Sequence, residues 1–170
     1  MSGVLARWNA LEWQEAVEDI LPCCGSKAWA LGMAAQRPVL DEAALLAASD
    51  DVWRKLPESD WMEAFRSHPR IGESHRPPSV PVRSTEWSGE EQHNVSTAAE
   101  EIRIALAEAN RTYEQRFHRI FIVCATGKSP AQLLETLRRR LHNDDTTELH
   151  EAAEQQRQIA QLRLKKWLRS

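Results

Sequence analysis

His68 is followed directly by Pro69, and Glu91 lies beyond a loop long enough to fold back on it. A carboxylate set beside an imidazole raises its pKa and holds one tautomer. A His68–Glu91 pair would therefore be able to hand protons to and from a substrate near neutral pH. Glu91 has a second reading, because Ser88-Gly89-Glu90-Glu91 matches a capping box in which the glutamate only starts a helix. Arg163 interrupts an otherwise apolar helical stripe. It is either a side chain snorkelling from a partly exposed face or a guanidinium at a pocket wall. In the second role it would grip a small carboxylate or a developing oxyanion in bidentate fashion, which implies a small anionic substrate.

Other chemistries lack their residues. His68, His75, His93, His118, His142 and His150 are scattered, with no two-histidine helical signature of a zinc hydrolase, so no metal is expected. His118 and His142 read as surface or packing residues. Cys124 sits in an apolar run, the setting of an inert buried thiol, and Cys23-Cys24 has the wrong spacing for a redox pair. No glycine-rich phosphate loop is present, and Ser67 has no nucleophile elbow around it.

The elements that must position these residues read as helices. Asn9 is placed to cap a first helix through Trp13, Val17, Ile20 and Leu21, ended by Pro22, and a short second helix carries Trp29 to Gln36 up to Arg37-Pro38. Asp41 suits the cap of a third, from Glu42 to Leu56. A fourth, led by Ser59 or Asp60, must end near Ser67, because Pro69 disfavours helical geometry at His68. The punctuation-rich stretch from Gly72 to Ser88, with Pro77, Pro78 and Pro81, is a long loop of the kind that is often functional. After Ser88, apolar residues recur at spacings of three and four through Tyr113, predicting a long amphipathic helix. Ser129-Pro130 starts the next, with Leu133, Leu134, Leu137 and Leu141 on one face. A box of Asp145 with Glu148 opens a last helix to about Leu168, whose stripe is Leu149, Ala152, Gln156, Ile159 and Arg163.

Between two of these helices, Ile120 to Ala125 is a short apolar run with no second strand to pair with. The expectation is an all-α single domain over residues 1–170, a bundle of about seven or eight helices. One buried, extended or irregular segment near 120–125 keeps its backbone groups available to something other than a sheet. The chain's 170 residues match about one domain. The tryptophans, including Trp87 before the Ser88 cap, read chiefly as core and interface mass.

Composition narrows the partners. The net charge is −3, without the basic excess of a nucleic-acid binder. No apolar run approaches the ~20 residues of a membrane helix. The first residues do not read as a secretory signal, Leu168-Arg169-Ser170 is not a peroxisomal tripeptide, and three cysteines suit reduced thiols, so a cytoplasmic location is expected. Two further readings are a non-catalytic helical interaction module that docks a partner through the tryptophan-rich N-terminal half, and a metal-dependent amidohydrolase, which ligand spacing disfavours.

The stretch Phe65-Arg66-Ser67-His68-Pro69-Arg70-Ile71-Gly72-Glu73 resembles the signature of the 2-oxo-4-hydroxy-4-carboxy-5-ureidoimidazoline (OHCU) decarboxylase family, whose reaction is the last on the route from urate to (S)-allantoin. Glu86-Trp87-Ser88-Gly89-Glu90-Glu91-Gln92 is similar to another of its motifs. So are Asn110-Arg111 with Tyr113 and Arg116-Phe117, Phe121 to Lys128, Arg140-Leu141 with Asn143, Glu148-Leu149 and Leu162-Arg163-Leu164. The motifs occur in order over about residues 7 to 168. The resemblance implies an all-helical homodimer without cofactor, acting on a small molecule, with His68 and Glu91 catalytic and Arg163 holding substrate. It further implies that Pro69, Ser88 and Gln92 line the site and that backbone groups of Phe121, Ile122, Val123, Cys124 and Ala125 bind the ring and ureido amides. The chain departs from the family at Phe117-His118-Arg119, where a glycine usually follows the phenylalanine, and its loop between His68 and Ser88 is a few residues longer.

Overall fold

A computed structural model of the chain describes residues 3–71 and 100–170. These residues form eight α-helices and no strand: α1 (Gly3–Ala10), α2 (Trp13–Ile20), α3 (Lys27–Ala34), α4 (Glu42–Lys55), α5 (Glu58–Arg66), α6 (Glu100–Phe117), α7 (Pro130–Arg140) and α8 (Asp145–Trp167), with a 3-10 turn over Leu21–Cys23. The expected all-α class holds. The chain divides into two compact units, one of residues 1–64 with 157–170 and the other of residues 65–156.

In the first unit the tryptophans supply the bulk of the core. Trp8, Trp29 and Trp167 are fully buried; Trp8 meets Trp167 edge to face at 5.7 Å and donates its indole N–H to the Ala16 carbonyl at 2.8 Å. Asp41 caps α4 as expected, accepting from the Ala44 N–H at 2.8 Å. Three other expected starts are corrected. Asn9 does not cap a helix running on to Leu21: it lies inside α1, and its amide pairs both ways with the Val39 backbone, at 2.7 and 3.0 Å. A new helix, α2, then begins at Trp13. The helix expected from Trp29 begins two residues earlier, because Ser26 accepts from the Trp29 N–H and takes the cap. The fourth helix also starts early, at Glu58 directly after Pro57. Gly32 has a packing reason: a β-carbon there would come within 2.6 Å of Val52, so glycine lets α3 approach α4 closely.

In the second unit, α6 and α7 enclose a core of Ile71, Leu106, Tyr113, Phe117, Leu133 and Leu137 with Phe121, Val123 and Ala125 of the irregular segment between them. Ser129 and Gln132 complete a capping box at α7, with Pro130 as its first residue. At α8 the expected pairing of Asp145 with Glu148 is wrong by one residue. Asp144 accepts from the Thr147 N–H at 2.9 Å, which releases Glu148 to turn inward, where it is fully buried.

Helix α6 ends where the chain passes into the irregular segment. His118, exposed to solvent, takes φ 53°, the left-handed conformation that glycine adopts without penalty. A non-glycine residue there carries roughly 1–2 kcal/mol of strain. His118→Gly should therefore stabilise the protein by about 1 kcal/mol, raising the thermal midpoint by about 2–4 °C, as calorimetry would show; a lower midpoint would mean the imidazole makes compensating contacts.

Candidate functional site

Helix α5 ends at Arg66, and the His68 N–H returns to the Phe65 carbonyl at 3.1 Å, so His68 sits just beyond the helix as Pro69 demands. The segment after it is pinned to α6. Arg70 forms a two-pronged pair with Glu114, its terminal nitrogen at 2.9 Å, and Asn110 donates to the Ile71 carbonyl at 3.0 Å. The imidazole itself is nearly buried at 9% exposure, and its Nε2 lies 2.8 Å from Oε1 of Gln156, a fully buried residue of α8. An amide oxygen only accepts, so the ring supplies the hydrogen of this bond, which orients the imidazole against α8.

Residues 121–125 are irregular and buried, within the expectation, and no strand among the described residues pairs with them. Two side chains and one local backbone N–H take up part of their hydrogen-bonding capacity instead. Arg140 of α7 donates to the Ile122 carbonyl at 2.6 Å, Oε1 of Gln155 accepts from the Cys124 N–H at 2.9 Å, and the Ala125 carbonyl accepts from the Lys128 N–H at 3.1 Å. Val123 is 5% exposed, yet neither its N–H nor its carbonyl is hydrogen-bonded to any described residue. Buried backbone groups are rarely left so, and a ligand is one way to satisfy them.

Arg140 can hold Ile122 only because its charge is balanced in place. Arg140 and Glu148 are both fully buried, with Arg140 Nε donating to Glu148 Oε1 at 2.9 Å. The same carboxylate accepts from the Tyr113 hydroxyl and from Asn143 at 2.9 Å. Burial, and then the bond to Glu148, push the Tyr113 hydroxyl pKa well up, so it stays a donor. The guanidinium also stacks over the Phe121 ring at 4.6 Å, and Phe121 meets Tyr113 edge to face at 5.3 Å. One buried ion pair thus fixes both the backbone and the first side chain of the segment.

Arg163 belongs to the other unit and is fully buried, which overturns the snorkelling reading. It donates to the Pro22 carbonyl at 3.4 Å. Burial pushes the Cys24 thiol up to about 12, against the Ser26 backbone N–H and the Arg163 charge, which lower it; Glu63 adds to the rise. Cys23, Cys24 and Cys124 are all free and buried, as inert thiols should be. His142, like His118, is exposed.

The structure therefore describes His68, Pro69, Phe121 to Ala125 and Arg163. Glu91, Ser88 and Gln92 lie outside the described residues, as does Trp87. Sequence reasoning missed Gln156, Gln155 and the Arg140–Glu148 pair. The available signal was the polar residue Gln156 placed in an apolar stripe. Among the described residues no three His, Cys, Asp or Glu side chains gather as metal ligands.

Comparison with known proteins bears on the family and the fold. The profile of the family described as OHCU decarboxylase matches residues 9–165. The chain is 33% identical over 144 residues to the uric acid degradation bifunctional protein TTL of Arabidopsis thaliana, covering 85% of this chain and 44% of that protein. It is 26% identical over 137 residues to the uric acid degradation bifunctional protein of Bacillus sp. (strain TB-90), covering 78% of this chain and 26% of that one. It thus spans less than half the length of these curated relatives. Among solved structures, an OHCU decarboxylase crystallised in the presence of (S)-allantoin superposes with a TM-score of 0.76 at 32% identity, covering 90% of this chain and 99% of its own. An (S)-allantoin synthase, 15% identical, shares the fold with a TM-score of 0.71 over 96% of this chain and 53% of its own.

Two outcomes follow from the buried charges. Arg140→Met should destabilise the protein by about 3–5 kcal/mol by stranding Glu148, and adding Glu148→Leu should recover much of that loss, as a denaturation double-mutant cycle would reveal. Strict additivity would mean the pair is not coupled. The Cys24 thiol ionises at higher pH folded than unfolded, so the unfolded chain loses its proton first and stability falls as pH rises above about 9. Denaturation at about pH 8 and about pH 10 should show a larger loss for wild type than for Cys24→Ala; equal losses would contradict the burial argument.

Proposed function

Because the chain belongs to the OHCU decarboxylase family, we propose that it converts 2-oxo-4-hydroxy-4-carboxy-5-ureidoimidazoline to (S)-allantoin and carbon dioxide, the closing step of urate degradation to allantoin. The single observation that carries the site assignment is the buried 121–125 segment. Its backbone is held by side chains rather than a sheet, and both backbone groups of Val123 lack a described partner. Such a surface suits a flat ring bearing several amides, which needs donors and acceptors at fixed positions.

When the substrate's carboxylate leaves, the electron pair of the broken carbon–carbon bond forms a carbon–carbon double bond. The imine pair moves onto the ring nitrogen, which takes a proton from solvent. The resulting enol must then surrender its hydroxyl proton and gain one at carbon on a single face. Three tasks follow: hold the carboxylate in an orientation where its bond can break, hold the ring amides, and direct one proton. We assign the proton to His68, with Glu91 helping to orient it, the anion to Arg163, and the ring to Pro69, Ser88, Gln92 and the backbone of Phe121, Ile122, Val123, Cys124 and Ala125. None of these tasks calls for an electron-sink cofactor.

Residues 1–170 act as one functional domain in this reading, supported by a family profile that runs through both compact units. In this reading the protein works as a homodimer in the cytoplasm, a compartment that keeps thiols such as its three buried, unbridged cysteines reduced. To test the activity, the unstable substrate is generated in place from urate and circular dichroism follows the appearance of one allantoin enantiomer. Wild type should accelerate it over buffer, and His68→Ala should lower turnover at least about a hundredfold with its helical signal intact. A near-normal rate for His68→Ala would remove His68 from the mechanism. A wild-type rate equal to buffer would leave the non-catalytic helical interaction module.

A further inference from the structure

Two peptide planes meet at Val123, and each is clamped along one edge. Arg140 Nη1 donates to the Ile122 carbonyl at 2.6 Å, on the plane that joins Ile122 to Val123. Oε1 of Gln155 accepts from the Cys124 N–H at 2.9 Å, on the plane that joins Val123 to Cys124. Both peptides are trans, and in a trans peptide the carbonyl and the N–H point in opposite directions. The Val123 N–H is therefore turned away from Arg140, and the Val123 carbonyl away from Gln155. These are the two groups that no described residue satisfies. The clamps differ in kind. Arg140 is fully buried and locked by Glu148, whereas Gln155 is half-buried on α8 and holds its peptide through one hydrogen bond.

We propose that Gln155 is a positioning residue for ligand binding: by holding the Cys124 N–H it aims the Val123 carbonyl at a ligand N–H, as Arg140 aims the Val123 N–H at a ligand carbonyl. A donor and an acceptor on one residue suit a group that carries both, such as the edge of a ureide. That this ligand is the ureidoimidazoline rests on the decarboxylase reading; the direction of the two peptides does not. Without the glutamine oxygen, the Cys124 N–H is a buried donor in need of a partner. Its plane then turns to find one and carries the Val123 carbonyl off its aim. In this role Gln155 touches no reacting atom and moves no proton. Its loss therefore weakens the bound substrate and the transition state alike, which changes affinity and leaves the chemical step as it was.

The test follows hydrogen exchange at the Cys124 amide in the full chain labelled with ¹⁵N-cysteine, its signal identified by loss in Cys124→Ala. Calorimetric titration with (S)-allantoin, a ureide without a carboxylate, and steady-state turnover accompany it. Gln155→Met, similar in length but without the acceptor, should speed that exchange at least about 10-fold and raise both the allantoin Kd and the KM about 10-fold, with kcat within about threefold of wild type. Gln155→Glu keeps an oxygen for the N–H and should return the exchange and the allantoin Kd to near wild type. Wild-type exchange, or wild-type Kd and KM, in Gln155→Met would overturn the proposal. So would a loss confined to kcat, or a Gln155→Glu that binds allantoin no better than Gln155→Met. Should Gln155→Met fail to fold, Gln155→Asn, whose acceptor falls a methylene short, carries the same expectations and the same refutations. A wild type that neither binds allantoin nor consumes the ureidoimidazoline would defeat the decarboxylase reading and this proposal with it. Wild-type binding and turnover left unmoved by loss of the acceptor would defeat the proposal alone.

Discussion

An irregular backbone buried among helices must find partners for its N–H and carbonyl groups, and in this chain no described strand supplies them. Arg140 does so at Ile122, reaching a carbonyl from inside the core with a charge that would be prohibitive alone. Glu148 makes that charge tolerable, and Tyr113 and Asn143 fill the remaining lone pairs of the carboxylate. The 121–125 segment has its shape because this ion pair is complete. A sheet would have consumed every backbone group; side chains consume a chosen few.

The flanking elements follow from that requirement. His118 accepts a strained left-handed conformation to turn the chain out of α6 and into the segment. Ser129, Pro130 and Gln132 start α7 promptly on the other side, so that Arg140, near its end, returns to the segment. Asp144 caps α8 and thereby leaves Glu148 for the core. Farther along α8 the helical repeat sets Gln155 against Cys124 and Gln156 against His68. One helix thus supports both the backbone surface and the imidazole.

Much of this was legible in the sequence, for physical reasons. The apolar run at 120–125 had no partner strand, which predicted a buried irregular segment, and Pro69 predicted that His68 would stand beyond a helix end. What was not legible depended on competition between neighbours. Asn9 has the chemistry of a cap but found the Val39 backbone instead, and Asp144 outcompeted Asp145 by one position. Burial of Arg163 and the pairing of Arg140 with Glu148 are tertiary facts that helical spacing alone does not encode. Gln156 was visible as a polar residue in an apolar stripe, yet its partner lies 88 positions away in sequence.

The central claim is that a backbone surface, kept available by side-chain hydrogen bonds, receives the ligand next to His68. A crystal structure of the chain soaked with (S)-allantoin tests it most directly. The account requires the ureido and ring amides to be hydrogen-bonded to backbone groups of residues 121–125, Val123 among them, with the His68 ring beside the ligand. Allantoin held only by side chains, or seated away from that segment, would contradict it.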